Sequence, residues 1–114
     1  MDRAAGHLAN MLESSRRWDP RPGEVYTLRA RTSGVYSDVR SGGIIRLRAG
    51  DVWKIGESIH DSDRYPNAFY RANNVYYQTE FRGGQLQIKM VEKSMLVAYM
   101  LEFGTLPPGN RILR

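Results

Sequence analysis

The chain has no cysteine, three lysines and two histidines among its 114 residues. Without cysteine there is neither a disulfide framework nor a thiolate zinc site. His7 and His60 are too few and too far apart to make a zinc pair by themselves. No apolar run approaches the ~20 residues needed to span a bilayer, so no membrane partner is expected. The first 20 positions lack the apolar core of a secretory leader, because Asp2, Arg3, Glu13, Arg16 and Arg17 interrupt it. The expectation is a soluble domain, cytoplasmic or delivered into a target cell by a carrier or secretion machine.

What is abundant is arginine, with 14 of the 17 basic residues; the lysines are Lys54, Lys89 and Lys93. With 12 acidic residues the formal charge is +5, which points to an anionic partner. Guanidinium holds phosphate through a planar fork, so the arginine bias favours nucleic acid over a general acidic surface. A compositional bias unrelated to function explains it equally well. The length suits one domain with a modest core.

Residues 2–17 read as an amphipathic helix with Leu8, Met11 and Leu12 on one side, stopped by Pro20, Pro22 and Gly23. This helix and linker, residues 1–22, precede a main domain over residues 23–114. Residues 24–32 alternate Tyr26, Leu28 and Ala30 against Val25, Thr27, Arg29 and Arg31, the period of a half-buried strand. Turn signals at Ser33-Gly34, Ser41-Gly42-Gly43 and Ala49-Gly50 separate short strands over 35–39, 44–48 and 51–57. Residues 58–73 are polar and irregular, with a short helix expected to carry Arg64. Val75, Tyr76, Tyr77 and Phe81 mark another strand, ended by a turn at Arg82-Gly83-Gly84.

Residues 85–103 form the strongest helix, apolar nearly all round, which predicts an element wedged between others. Gly104 caps it, and Pro107 and Pro108 prevent its resumption. The sum is an α+β domain, a small antiparallel sheet flanked by helices.

Two segments then stand out: Gly23-Glu24-Val25-Tyr26 at the first strand, and Trp53-Lys54-Ile55-Gly56 on a later one. Separated by a hairpin-like insertion, they resemble the two signature strands of GIY-YIG nucleases. In that family a tyrosine closes the first motif, Ile-Gly closes the second, and an arginine, a glutamate and an asparagine follow. Tyr26, Ile55-Gly56, Arg64, Glu92 and Asn110 stand here in that order. The likeness spans residues 23–111. It departs in two places: the first motif carries one extra residue, and Lys54 replaces the commoner tyrosine, as in the Lys-Ile-Gly branches of the family. The terminal Gly-Thr-Leu-Pro-Pro-Gly-Asn-Arg is similar to the ends of toxin domains in bacterial polymorphic toxin systems.

The resemblance implies a metal-dependent endonuclease, with DNA favoured over RNA. Glu92 would hold one Mg²⁺ or Mn²⁺, since both prefer oxygen ligands. On the helix surface it falls among Ile88, Leu96, Tyr99 and Phe103, where a carboxylate needs a cation nearby; an ion pair with Lys89 at i−3 would serve equally. Tyr26 would be the general base or water-positioning group, its phenol lowered in pKa by Lys54. Val52, Lys54 and Gly56 are expected to share one strand face. Arg64 would clamp the phosphate, or else pair with Asp61 or Asp63. His60 would assist as an acid or phosphate contact, or be an exposed loop residue. Gly56 clears the approach and Asn110 fixes the tail, while Arg29, Arg31 and Lys89 would contact nucleic acid. Tyr65, Phe69, Tyr70, Tyr76 and Tyr77 would stack on bases or fill core and sheet surface.

Two other classes answer to the same residues. One is a non-catalytic nucleic-acid-binding module of this fold. The other is an interaction protein whose basic face meets an acidic partner, which for a toxin domain would be a cognate immunity protein.

Overall fold

A computed structural model describes residues 22–111; the helix expected over 2–17 lies outside that range. Among the described residues, two antiparallel sheets, a 3-10 turn and two helices make up the fold. Strand β1 (Gly23–Ala30) lies between β4 (Val52–Ser58) and β5 (Val75–Gly83) in a three-stranded sheet. Strands β2 (Gly34–Asp38) and β3 (Gly43–Leu47) form a separate hairpin, turning on Gly42 at φ 75°. A 3-10 turn (Asp61–Arg64) and helix α1 (Asn67–Asn73) cross between β4 and β5; helix α2 (Gln85–Phe103) follows.

β1 departs from the half-buried strand its alternation predicts. Seven of its eight residues are buried, because both faces of this central strand are covered. On one face Tyr26, Leu28 and Ala30 join Tyr36, Leu47, Trp53 and Val75, with Tyr65, Phe69, Tyr70 and Tyr77 packed against them. On the other, Val25 joins Ile55 of β4 and Ile88 and Leu96 of α2. The two clusters sandwich one sheet, and period-2 alternation cannot tell a strand with one covered face from a strand with two.

Helix α2 has the predicted bounds but a different setting. Gln87 accepts a 2.9 Å hydrogen bond from the Gly84 N–H at its start. Gly104, at φ 78°, ends it by donating to Met100 O at 2.8 Å. Only Ile88, Glu92 and Leu96 are buried, while Met90, Val97, Leu101 and Phe103 are exposed. Among the described residues the helix is not wedged; it lies on the sheet by one stripe, and its opposite apolar face is open.

The tail after α2 is pinned by Arg40, in the β2–β3 turn. Its guanidinium donates to the carbonyls of Pro107 (2.7 Å), Asn110 (2.5 Å) and Leu106 (2.9 Å), and to Thr105 Oγ1 (3.2 Å). Val39 N–H adds a bond to Pro108 O, and Gly109 N–H one to Trp53 O. Together these bring residues 107–110 into a buried position beside β4. No helix of the described residues is long and apolar enough to cross a membrane.

Candidate active site

β4 is an edge strand, so half its backbone groups lack a strand partner. At Ile55 the missing partner is a side chain. The Ile55 N–H donates to Asn110 Oδ1 and the Asn110 amide donates back to Ile55 O, both at 2.9 Å. The pair imitates one rung of a sheet ladder. It fixes the tail where it walls a cleft of about 170 Å³.

Tyr26, Lys54, Arg64, Lys89, Glu92 and Asn110 all line this cleft, with Gly56 and Glu57 between them. Residues spread over 84 positions of sequence therefore converge on one edge of the sheet. Register explains the strand members: Tyr26 pairs with Gly56 and Leu28 with Lys54 across β1 and β4. A register shift beyond Leu28 sends Val52 to the α2 side, where it packs with Val25 and Ile55. Val52 thus does not share a face with Lys54 and Gly56, contrary to simple alternation.

The Tyr26 ring is 1% exposed, stacked on Tyr77 with centroids 4.7 Å apart. Its hydroxyl lies 2.6 Å from the Tyr65 hydroxyl. Burial pushes the Tyr26 phenol well above its ordinary pKa and Tyr65 adds to the rise, while Arg64 pulls the other way without overcoming it. The expectation of a phenol lowered by Lys54 is therefore overturned, because desolvation outweighs the neighbouring charge. The Lys54 ammonium instead sits 5.7 Å from the Tyr65 ring centroid, and the Arg64 guanidinium 5.6 Å from it.

Arg64 ends the 3-10 turn, exposed but directed at the phenols. Its hydrogen bond to Tyr26 holds its own pKa above the ordinary value. It forms no ion pair with Asp63; the Asp61 side chain is outside what is described.

On the α2 side, Glu92 is 7% exposed between Ile88 and Leu96. Lys89 reaches Glu57 Oε1 at 2.9 Å, while the other Glu57 oxygen is buried without a hydrogen bond. Glu57 is a cleft residue that the sequence did not single out. Its only signal there was adjacency to Gly56 on the motif strand.

No known family, curated protein or solved structure matches the chain.

The site is accordingly read from its own chemistry. Four cations (Lys54, Arg64, Lys89 and Arg111), the Tyr26 phenol and two carboxylates (Glu57 and Glu92) line one small cleft. The cations suit a phosphate, and the carboxylates suit a divalent ion.

Three expected contact residues are not brought to it. His60 is exposed outside the cleft lining, its backbone N–H bonded to Ser58 Oγ at 2.8 Å. Arg29 is held by Glu80 (3.2 Å), Thr27 Oγ1 (3.0 Å) and Gly50 O (2.9 Å) and lines a different groove. Arg31 is exposed past the end of β1, away from the cleft. Strand parity placed Arg29 on the face opposite Tyr26, and that geometry removes it from the site.

The aromatic cluster is largely internal. Tyr65 stacks on Phe69 at 4.4 Å, and Phe69 meets Tyr70 and Trp53 edge-on or tilted. These rings complete the core beneath the cleft. One more residue was missed: Glu24, 1% exposed at the start of β1. Its carboxylate accepts from the Tyr77 hydroxyl and from Thr79 Oγ1 at 3.0 Å, and lies 3.4 Å from Arg82. Through Tyr77 it braces the ring on which Tyr26 stacks.

Proposed function

We propose that this domain is a metal-dependent endonuclease of the GIY-YIG type, hydrolysing a nucleic-acid phosphodiester, with DNA the favoured substrate. The observation that carries the reading is the convergence of Tyr26, Lys54, Arg64, Glu92 and Asn110 on one cleft at the β4 edge. Five residues in family order need not meet in space, and here they do.

The roles follow from chemistry. Arg64 and Lys54 bind the phosphate and offset the charge that grows on its oxygens. Tyr26 positions the attacking water through its hydroxyl. Glu92 would hold one Mg²⁺ or Mn²⁺, and the Glu57 oxygen left without a hydrogen bond fits the same ion. Among the described residues no three His, Asp or Glu side chains gather, so phosphate and water would complete the shell. Bound there, the ion would polarise a phosphate oxygen and make a water more acidic. Lys89 and Asn110 keep Glu57 and the β4 edge in place.

A second reading, a nucleic-acid-binding module without catalysis, is favoured by one observation: the Tyr26 phenol is held protonated. If the domain serves as a toxin, an immunity protein with an acidic surface would cover this basic cleft.

Cleavage of plasmid and total RNA, with Mg²⁺, Mn²⁺ or EDTA, tests the proposal. Metal-dependent nicking, lost in Glu92→Gln and Arg64→Ala without loss of fold, supports it. Salt-sensitive binding with no nicking in any metal supports the second reading. Cutting left intact in both variants overturns the assignment.

A further inference from the structure

The Tyr26 hydroxyl has a single close polar neighbour of its own kind, and that neighbour reaches water. Tyr65 leaves the end of the 3-10 turn, half-buried against Phe69 and Tyr26. Its oxygen lies 2.6 Å from the Tyr26 oxygen, and either atom can be the donor. The charged and titratable groups around the pair come from five elements. They are Lys54 on β4, Arg64 on the 3-10 turn, Tyr70 on α1, Tyr77 on β5 and, behind Tyr77, Glu24 on β1. The two cations lie against the Tyr65 ring, and the carboxylate lies on the far side of Tyr77.

We propose that Tyr65 is the proton-accepting partner of Tyr26: the two phenols act as one relay, and Tyr65 connects it to solvent. This rests on the nuclease reading above. Both hydroxyls carry their protons as the step begins. The water oxygen bonds to phosphorus and the bond from phosphorus to the leaving oxygen breaks. The water proton passes to the Tyr26 oxygen as the Tyr26 proton moves to Tyr65 and the Tyr65 proton moves to solvent, so both hydroxyls end whole. The leaving oxygen takes a proton from solvent. Lys54 and Arg64 offset the negative charge that grows on the phosphate.

Burial explains why Tyr26 needs this partner. A fully enclosed phenol loses a proton only at high cost, whereas exchange with a hydroxyl 2.6 Å away leaves no isolated buried anion. Tyr65 acts through Tyr26, so it is a positioning residue rather than a catalytic one.

The two possibilities give opposite signs on one variant. Tyr65→Phe keeps the stack on Phe69 and removes only the hydroxyl. If Tyr26 ionised alone, losing a neighbour that raises its pKa would ease ionisation, and cleavage would be unchanged or faster. With the relay, cleavage falls about 10²-fold while plasmid binding stays within twofold and the melting temperature is kept. Titration of ¹³C-labelled tyrosine in the protein alone gives a readout independent of cutting. The Tyr26 ring should ionise at lower pH in Tyr65→Phe than in wild type, even though the variant cuts more slowly. A variant that cuts within twofold of wild type, loses binding in step with rate, or leaves the Tyr26 titration unmoved overturns the relay alone. A wild type that cuts nothing overturns the nuclease reading, and the relay with it.

Discussion

Gly56 surrenders its side-chain space to Tyr26. The two residues are directly paired across β4 and β1, and a Cβ on Gly56 would lie 2.5 Å from the Tyr26 hydroxyl and 2.7 Å from its ring. The glycine that ends one motif is thus the seat of the tyrosine that ends the other. Tyr26 is enclosed by Tyr77 and Tyr65 and has little room to retreat. Gly56→Ala should therefore destabilise by about 1–3 kcal/mol through overpacking. The gain from a stiffer unfolded chain, about 0.4–1 kcal/mol, is smaller. Cleavage should fall more than stability suggests, because the displaced atom is the hydroxyl that the proposed reaction uses. Chemical denaturation and a cleavage assay on the same preparation check both parts. A variant of wild-type stability would mean the phenol has more freedom than its packing implies.

Asn110 offers a test of the tail. Its amide satisfies both edge-facing backbone groups of Ile55. Asn110→Ala leaves a donor and an acceptor without partners at a buried position, costing about 2–4 kcal/mol. Asn110→Asp should be no better. The retained oxygen still accepts from Ile55 N–H, but the second carboxylate oxygen then meets Ile55 O where the amide donated. Hydrogen exchange at the Ile55 amide should rise by orders of magnitude in both variants. Unchanged protection would show that the edge of β4 does not depend on this side chain.

The strands, the long helix and the cleft residues near the motifs were legible because each rests on local rules: β-branched alternation, turn glycines, a glycine cap. Parity put Lys54 and Gly56 on one face, and the register across β1 and β4 makes it the Tyr26 face. What was hidden is non-local. Nothing near Tyr26 in sequence announces Tyr65, since the contact joins a strand to a turn 39 positions away. The sign of the Tyr26 shift depends on how deeply the ring is enclosed, and strand alternation gives only its side. Arg40 read as one more basic residue until the tail folded back onto it. Arg29 shows the reverse case, a plausible phosphate contact by composition that an acidic neighbour on β5 had already taken.

Alkaline stability follows from the raised Tyr26 phenol. In the unfolded chain a tyrosine loses its proton near pH 10.0; in the folded protein Tyr26 holds it to a higher pH. The unfolded state then binds fewer protons than the folded state above that value, so stability decreases as pH rises. The contribution is fully present below pH 10.0 and is lost as pH climbs toward the folded value. Thermal melts from pH 8 to 11 should show a decline above about pH 10 that is shallower in Tyr26→Phe. Equal slopes in the two proteins would mean that other groups set the alkaline limit.

The carboxylates of the cleft can be tested without any substrate. If Glu92 and Glu57 hold a divalent ion in the folded state only, the ion stabilises by mass action, about 2.7 kcal/mol at a hundredfold excess over its Kd. For a domain of this size ~1 kcal/mol moves the melting temperature by ~4–8 °C, so saturating Mn²⁺ should raise it by ~10 °C or more. Glu92→Gln keeps the volume of the side chain and removes its charge, and it should abolish the rise. Glu57→Gln has two opposing effects: it removes a ligand, and it also frees Lys89, a cation beside the site, from its 2.9 Å partner. The rise should therefore shrink in Glu57→Gln and recover in part when Lys89→Met is added, since the added change removes the repelling charge. An equal rise in wild type and Glu92→Gln would place the ion elsewhere and leave the cleft with cations alone to act on phosphate.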